Sequence, residues 1–305
     1  MNKLIIVGGS GFLGNAIAKH FVNTFKDIVI LTRGASETKN GIRYTSWDAK
    51  SVGSWAKEFD NCDVLINMVG RSVDCRYTKK NKSLILSSRV DATKVLGEVL
   101  LKSEKPPKIW LNSSTATIYR HSLDLQMDEI SGEIGNGFSV EVAKAWEKTF
   151  FASPLKNTRK IALRTSIVLG KNGGALVPLK KLAQIGFGGK QGNGNQFFSW
   201  IHITDFLRSI DFIIKTENIE GPINIVAPQP CTNAYLMEKI RKSISIGFGI
   251  PLSEKILKIG ALCIQTETEL ILKSRNVIPG RLLNKGFEFQ YPTIEKALND
   301  LNTTS

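Results

Sequence analysis

The stretch I-I-V-G-G-S-G-F-L-G-N-A-I-A, residues 5–18, decides the fold. An apolar run ends in glycines and an apolar-periodic segment follows at once, so the chain reads strand, tight turn, helix. Gly8, Gly11 and Gly14 keep a G-x-x-G-x-x-G frame. A turn without Cβ atoms lets the backbone approach a ligand closely. The start of the next helix offers unpaired N–H groups at the positive end of its dipole. Residues 8–14, with Ser10, Phe12 and Leu13 inside the frame, are therefore the candidate cradle for a pyrophosphate. A glycine motif alone is weak, but this one has the strand before it and the helix after it that a dinucleotide site requires.

The end of the second strand chooses between dinucleotides. An acidic residue there accepts the ribose 2′-OH of NAD, whereas an arginine pairs with the 2′-phosphate of NADP. The chain reads V-I-L-T-R-G at 29–34, placing Thr32 and Arg33 at that point, with no acid before Glu37. This favours NADP(H) over NAD(H), with a surface arginine capping a strand as the alternative.

Outward from this unit the pattern repeats. Candidate strands cover 3–7, 28–32, 64–68, 108–113 and 160–164, and segments of helical spacing cover 15–25, 51–59, 83–103 and 139–151. Such alternation predicts βαβ units and an α/β fold, a Rossmann-type doubly wound parallel sheet with helices on both faces. After residue 170 the texture changes. A glycine-rich loop spans 185–196, and short helices with Pro-bearing turns follow from about residue 224. The division expected is a dinucleotide-binding domain over 1–223 and a small C-terminal substrate lobe over 224–305, set at the carboxyl edge of the sheet where doubly wound folds bind ligands.

The bulk numbers fit this reading. The chain has 305 residues, 42% hydrophobic and 22% charged, as in an ordinary globular protein. No apolar run is long enough to span a membrane, and glycines interrupt the N-terminal run too early for a signal peptide, so a cytoplasmic location is expected. Cys62, Cys75, Cys231 and Cys263 form no C-x-x-C pair and the three histidines show no ligand spacing, so neither a disulfide framework nor a metal site is expected. The net charge of +14 raises the question of nucleic acid. The lysines are dispersed and accompany no zinc-finger, RNP-type or basic-zipper pattern, so a solvated basic surface that favours anionic ligands is the better reading.

The motifs also carry a resemblance. G-G-S-G-F-L-G at 8–14 and N-S-S-T-A-T-I-Y at 112–119 resemble the extended short-chain dehydrogenase/reductase superfamily, the group of the sugar-nucleotide epimerases. R-T-S-I-V-L-G-K-N-G-G-A-L (164–176), F-S-W-I-H-I-T-D (198–205) and G-P-I-N-I-V-A-P-Q-P (221–230) are similar to one atypical branch, the YfcH-like epimerase-family proteins related to mammalian short-chain dehydrogenase family 39U. L-K-S-R-N-V-I-P-G-R-L-L-N-K-G-F-E-F-Q-Y-P (272–292) points the same way. The resemblance implies an NADP(H)-binding Rossmann domain and a small C-terminal domain. It sets Asp48 against the adenine, Met68, Val69 and Gly70 along the cofactor, and Thr115 at the active-site Ser/Thr position.

In the superfamily's usual site, a tyrosine four residues before a lysine is the general acid/base, and the lysine lowers its pKa and binds the nicotinamide ribose. Here Lys144 fits the lysine, but the tyrosine position is Val140, one helical turn earlier on the same face. Glu141 and Tyr119 are the candidates for the missing proton donor. Arg76, Tyr77, Arg89, Trp200 and His202 are the candidates for the substrate side, with Asp205 as a partner that would orient His202. The leading expectation is an NADP(H)-dependent oxidoreductase or epimerase for a small, anionic or nucleotide-linked substrate, with a homodimer compatible. A non-catalytic NADP(H)-binding, redox-sensing protein is the alternative.

Overall fold

The structure is a computed structural model; it describes residues 1–263 and 267–303, and at 260–263 and 270 the backbone only. The chain opens β1 (Lys3–Val7), α1 (Phe12–Phe21), β2 (Asp27–Thr32), β3 (Glu37–Lys39), β4 (Ile42–Ser46), β5 (Val64–Asn67), α2 (Lys79–Lys102), β6 (Ile109–Thr115), α3 (Phe138–Ala152) and β7 (Arg159–Thr165). It continues β8 (Ile167–Gly170), β9 (Gly173–Gly174), α4 (Leu176–Leu182), β10 (Phe197–Phe198), β11 (Trp200–His202), α5 (Ile203–Lys215) and β12 (Gly221–Ile225). It closes with β13 (Cys231–Thr232), α6 (Asn233–Ser243), α7 (Glu254–Cys263), α8 (Glu269–Leu272), α9 (Gly280–Asn284) and α10 (Ile294–Asn302).

Eight strands form the central sheet in the order β12-β7-β6-β5-β1-β2-β4-β3, parallel except for the β3 edge. Alternation along β1 shows why helices must cover both faces. Leu4 and Ile6 pack with α1 and α5, through Ile17, Phe21, Phe206 and Ile210. Ile5 and Val7 pack with α2 and α3, through Ala92, Val95, Leu96 and Phe150. Period-two side chains that are apolar on both sides are the mark of a sheet buried twice. The chain leaves β1 toward β2 on one side and reaches β5 on the other, so a crevice opens at the carboxyl ends of β1 and β5.

The α/β, doubly wound architecture expected from the sequence is the one observed, with shifts that have physical causes. Helix α1 starts at Phe12, because its first turn belongs to the glycine loop, and ends at Phe21. Helix α2 starts at Lys79, where the Thr78 side chain accepts the Asn81 N–H and caps it. The helix expected over 51–59 is a 3-10 helix over Ser54–Phe59, entered from an extended Gly53. The β3–β4 hairpin and the short strands from β8 onward were not expected. A further core joins Leu169, Leu176, Ala183 and Trp200 to Ala227, Leu236, Met237, Ile240 and Ile294–Leu301 elements, while Leu282 and Phe287 pack into the first core. The cores thus exchange segments across residue 223.

Candidate functional site

The glycine loop has the geometry a phosphate needs. Gly8 sits at φ +70°, and a Cβ there would lie 2.9 Å from Val69 Cγ2, so the loop is pressed against the end of β5. A Cβ on Gly14 would lie 2.2 Å from Gly9 Cα, which makes Gly14 a packing glycine that brings α1 onto the loop. At Gly11, by contrast, a Cβ would meet nothing within 4 Å. Gly11 is also the N-cap of α1 and supplies no side-chain cap. Helices α2, α5, α6 and α10 are capped by Thr78, His202, Thr232 and Thr293. The first N–H groups of α1, at Phe12 and Leu13, have no hydrogen-bond partner among the described residues. Asn15 Nδ2 holds the Ser10 carbonyl at 2.8 Å, and the Phe12 ring lies close against Gly170 and Gly173. The loop thus combines uncapped helix N–H groups with open space at Gly11, the features an anion site uses.

At the end of β2, Thr32 is buried and its Oγ1 accepts the Gly34 N–H at 3.2 Å, shaping the turn that presents Arg33. Arg33 is exposed and has no ion-pair or hydrogen-bond partner among the described residues. Asp48 is exposed as well. Its carboxylate accepts the Ser51 hydroxyl and the N–H groups of Ser51 and Lys50, which pull it down to about 2.

The end of β5 rests on a buried amide network that was not among the expected site residues. Asn67 Nδ2 donates to Asn112 Oδ1 at 2.7 Å and to Thr93 Oγ1 at 3.2 Å, and Trp146 Nε1 donates to the same threonine at 3.0 Å. Asn67 Oδ1 accepts the Val69 N–H at 3.1 Å, fixing the backbone that passes Gly8. The Ser113 hydroxyl lies 3.0 Å from Met68 Sδ. Gly70 lies under the Arg89 guanidinium: a Cβ there would fall 3.0 Å from Arg89 Cζ. The one signal in the sequence is an asparagine that ends the apolar run of each strand, Val64–Ile66 and Ile109–Leu111, the two paired in register.

Thr115 ends β6 half-buried. Its Oγ1 accepts the Thr117 N–H at 3.2 Å and lies 3.0 Å from Thr117 Oγ1. On α3, Val140 and Lys144 do not share surroundings as their spacing suggests. Val140 is buried, whereas Lys144 is about half exposed and pairs with Glu141 at 3.2 Å on the solvent side. A residue four further on rotates by about 40°, enough to carry Lys144 past the edge of the buried arc formed by Val140, Ala143, Glu147 and Phe150.

Three expected site residues are structural. The Tyr119 ring is 1% exposed; its hydroxyl donates to Asn224 Oδ1 at 2.9 Å and accepts from Arg164 Nη1 at 2.9 Å. With both capacities filled, Tyr119 is not the free proton donor that its position suggested. Trp200 is fully buried and its Nε1 donates to the Gln229 carbonyl at 3.2 Å. His202 is buried too, and its Nδ1 accepts the Thr204 N–H at 3.0 Å as the cap of α5. It does not pair with Asp205, which instead accepts from Arg208 and from the N–H groups of Gln290 and Tyr291. Neither Trp200 nor His202 is exposed to meet a substrate.

The remaining substrate candidates do converge. Arg76 lies 3.4 Å from Glu267, whose Oε1 also accepts the Tyr77 N–H at 2.8 Å. The Tyr77 ring meets Phe138 edge-to-face at 4.9 Å, and burial raises the pKa of its hydroxyl, which the neighbouring Ser139 side chain partly offsets. Arg89 lies over the Trp146 ring, and burial pushes its guanidinium down to about 10. Lys273 Nζ comes within 3.4 Å of the Cβ position at Gly137, the uncapped start of α3. Lys273 also pairs with Glu269 at 2.7 Å, so where the last third of the chain meets α2 and α3 the cations Arg76 and Lys273 are each met by a carboxylate, and Arg89 lies against Trp146. Among the described residues no three His, Cys, Asp or Glu side chains gather as a metal would require. Cys62, Cys75 and Cys231 are free thiols, and the side chain of Cys263 lies outside the described residues.

Comparison with known proteins places the chain. The pattern of the NAD dependent epimerase/dehydratase family matches residues 4–226, and that of a domain of unknown function, DUF1731, matches residues 254–301. An epimerase family protein of Staphylococcus epidermidis, SERP0438, is 32% identical over 305 residues, covering 99% of both chains. Among solved structures, human epimerase family protein SDR39U1 (isoform 2) with NADPH superposes with a TM-score of 0.87 at 26% identity, over 98% of this chain and 99% of that one. The nucleoside-diphosphate sugar epimerase of Corynebacterium glutamicum gives a TM-score of 0.78 at 29% identity, over 98% of this chain and 58% of the other. The chain belongs to the NAD dependent epimerase/dehydratase family.

Proposed function

We propose that the protein binds NADP(H) and uses it as an oxidoreductase or epimerase on a small anionic or nucleotide-linked substrate. The carrying observation is Arg33: an exposed guanidinium without a partner, presented by the turn that follows β2, beside an open, uncapped phosphate cradle. A free arginine there is an ion-pair site for a 2′-phosphate. The likeness to a human protein solved with NADPH supports the choice.

When bound, the nicotinamide supplies hydride transfer. The chain's own residues take the remaining work. Gly8, Gly11 and the first N–H groups of α1 hold the pyrophosphate, and Met68, Val69 and Gly70 line its path. Thr115 steadies the substrate oxygen. Lys144 reaches the ribose, and Glu141, ion-paired to it and open to solvent, carries the proton in place of the tyrosine that α3 lacks. Arg76, Tyr77 and Arg89 receive the anionic end, with residues 224–305 as the lobe on the substrate side.

Titration calorimetry with NADPH and NADH tests the cofactor reading: a preference for NADPH of tenfold or more is expected. Equal affinities would remove the role given to Arg33. The second reading, a non-catalytic NADP(H) sensor, is favoured by the buried apolar Val140. NADPH oxidation with any member of a carbonyl and nucleotide-sugar panel argues against it, and silence across the panel with retained binding argues for it.

A further inference from the structure

Six large apolar side chains of the second half stand between 39% and 69% exposed: Ile185, Phe187, Phe248, Ile250, Ile256 and Ile259. They come from two segments that the fold ties together. The Ile250 N–H donates to the Gly186 carbonyl at 2.8 Å, Gly189 N–H to Ile250 O at 3.2 Å, and Leu252 N–H to Lys190 O at 3.0 Å. The backbones approach so closely that a Cβ on Gly249 would fall 2.6 Å from the carbonyl carbon of Gly188. Ile185 and Phe187 thus stand beside Phe248 and Ile250. Immediately downstream, Ile256 and Ile259 share one exposed face of α7, three residues apart, while Leu257 faces inward.

The charge around these tips is one-sided. Glu238 is taken by Lys242 at 2.6 Å and Glu254 by Lys258 at 2.7 Å. Lys181, Lys190, Arg241 and Lys255 have no carboxylate partner among the described residues. Arg241, half-buried, spends one N–H on the Gly188 carbonyl, and its Nε is buried without a partner. Apolar tips grouped on a soluble surface mark a contact site. Charge then decides what makes the contact. A second copy docked face to face would set four uncompensated cations against four more. A sheet of anionic headgroups satisfies the cations and leaves the tips free to reach the acyl boundary. Phe248, set between Gly247 and Gly249, is an apolar tip of the kind that interfacial surfaces bury at that boundary.

We propose that Ile185, Phe187, Phe248, Ile250, Ile256 and Ile259, ringed by Lys181, Lys190, Arg241 and Lys255, dock the protein on an anionic membrane surface. The test is co-sedimentation of the full-length chain with phosphatidylcholine vesicles, with and without phosphatidylglycerol. Binding to the anionic vesicles only is expected. It should weaken about tenfold or more in Phe248→Ser/Ile259→Ser, and as much in Lys190→Ala/Lys255→Ala, with melting temperature held. Should the first pair unfold the lobe, Ile185→Ser serves in its place. Failure to sediment with anionic vesicles overturns the proposal. So does sedimentation indifferent to the serine variants, which would mean charge alone. A vesicle-free dimer in analytical ultracentrifugation that Phe248→Ser dissociates would give the face to a second copy instead.

Discussion

Glu147 and Arg164 meet as a buried bidentate pair, Nη2 to Oε2 at 2.8 Å and Nε to Oε1 at 2.9 Å, and so join α3 to β7 beside the end of β6. Ser114 Oγ donates to the same carboxylate at 2.6 Å, and Arg164 reaches on to Tyr119, which bonds Asn224. Burial opposes the charge on Arg164, but the carboxylate outweighs it and raises its pKa. The network fixes the strand end that carries Thr115 from the side opposite the cradle.

Glu147→Ala removes one partner and leaves a buried guanidinium uncompensated. A loss of about 3–5 kcal/mol is expected, read from urea denaturation. Glu147→Gln, which keeps the shape and an acceptor oxygen, should lose less. Equal losses in the two variants would mean that the charge is immaterial and only the hydrogen bonds count.

Gly11 and Gly14 should separate binding from folding. Gly14→Ala drives a methyl into the Gly9 backbone at 2.2 Å, so the variant should be strongly destabilised or fail to fold. Gly11 is extended at φ −87° with open space around it, so Gly11→Ala should change stability by no more than about 0.5 kcal/mol. If the proposed cradle holds the pyrophosphate, the added methyl intrudes on it and NADPH affinity should fall at least about tenfold. Calorimetry and a melting curve on both variants check this; a Gly11→Ala protein that binds NADPH as before moves the phosphate site elsewhere.

Arg33→Ala should weaken NADPH by about 1.5–3 kcal/mol, the range for hydrogen bonds to a charged group, and leave NADH within error. Parallel losses for the two cofactors would show that Arg33 does not touch the 2′-phosphate.

The fold was legible because residues 5–18 state strand, loop and helix in one reading, and because Leu4/Ile6 and Ile5/Val7 announce two buried faces. The candidate site was legible where backbone geometry dictates it, at Gly8 and Gly14, each held by a contact that a Cβ would break. It was not legible where long-range pairing decides. Tyr119 follows Thr115 closely in sequence, yet its environment is set by Arg164 and Asn224, 45 and 105 residues away. Nor does a spacing of four reveal where the rim of a helix's buried arc falls, which is why Val140 and Lys144 part company.

That separation makes Val140→Tyr informative. Restoring the tyrosine in sequence places a bulky ring at a position 1% exposed, inside the packing between α3 and its neighbours. Overpacking of this kind costs about 1–3 kcal/mol. The variant should melt lower and gain no turnover with NADPH over a carbonyl panel. A gain in turnover at unchanged stability would mean that position 140 faces the cofactor after all.

His202 gives the stability a pH dependence. Its Nδ1 must be unprotonated to accept the Thr204 N–H, its ring stacks on Tyr291 at 3.8 Å, and Asp205 and Asp300 are the charges that face it. Burial lowers its folded-state pKa below 6.5, and the two carboxylates only partly offset this. The unfolded chain therefore takes up this proton first as pH falls. The contribution of neutral His202 is complete above 6.5 and is lost as the pH drops from there toward the folded value. His202→Asn keeps an acceptor at the N-cap but does not titrate. Between about pH 7.5 and 5.5 the wild type should lose stability more steeply than the variant, by up to the slope of one proton. Denaturation curves that stay parallel across that window would show that the buried imidazole is not linked to folding.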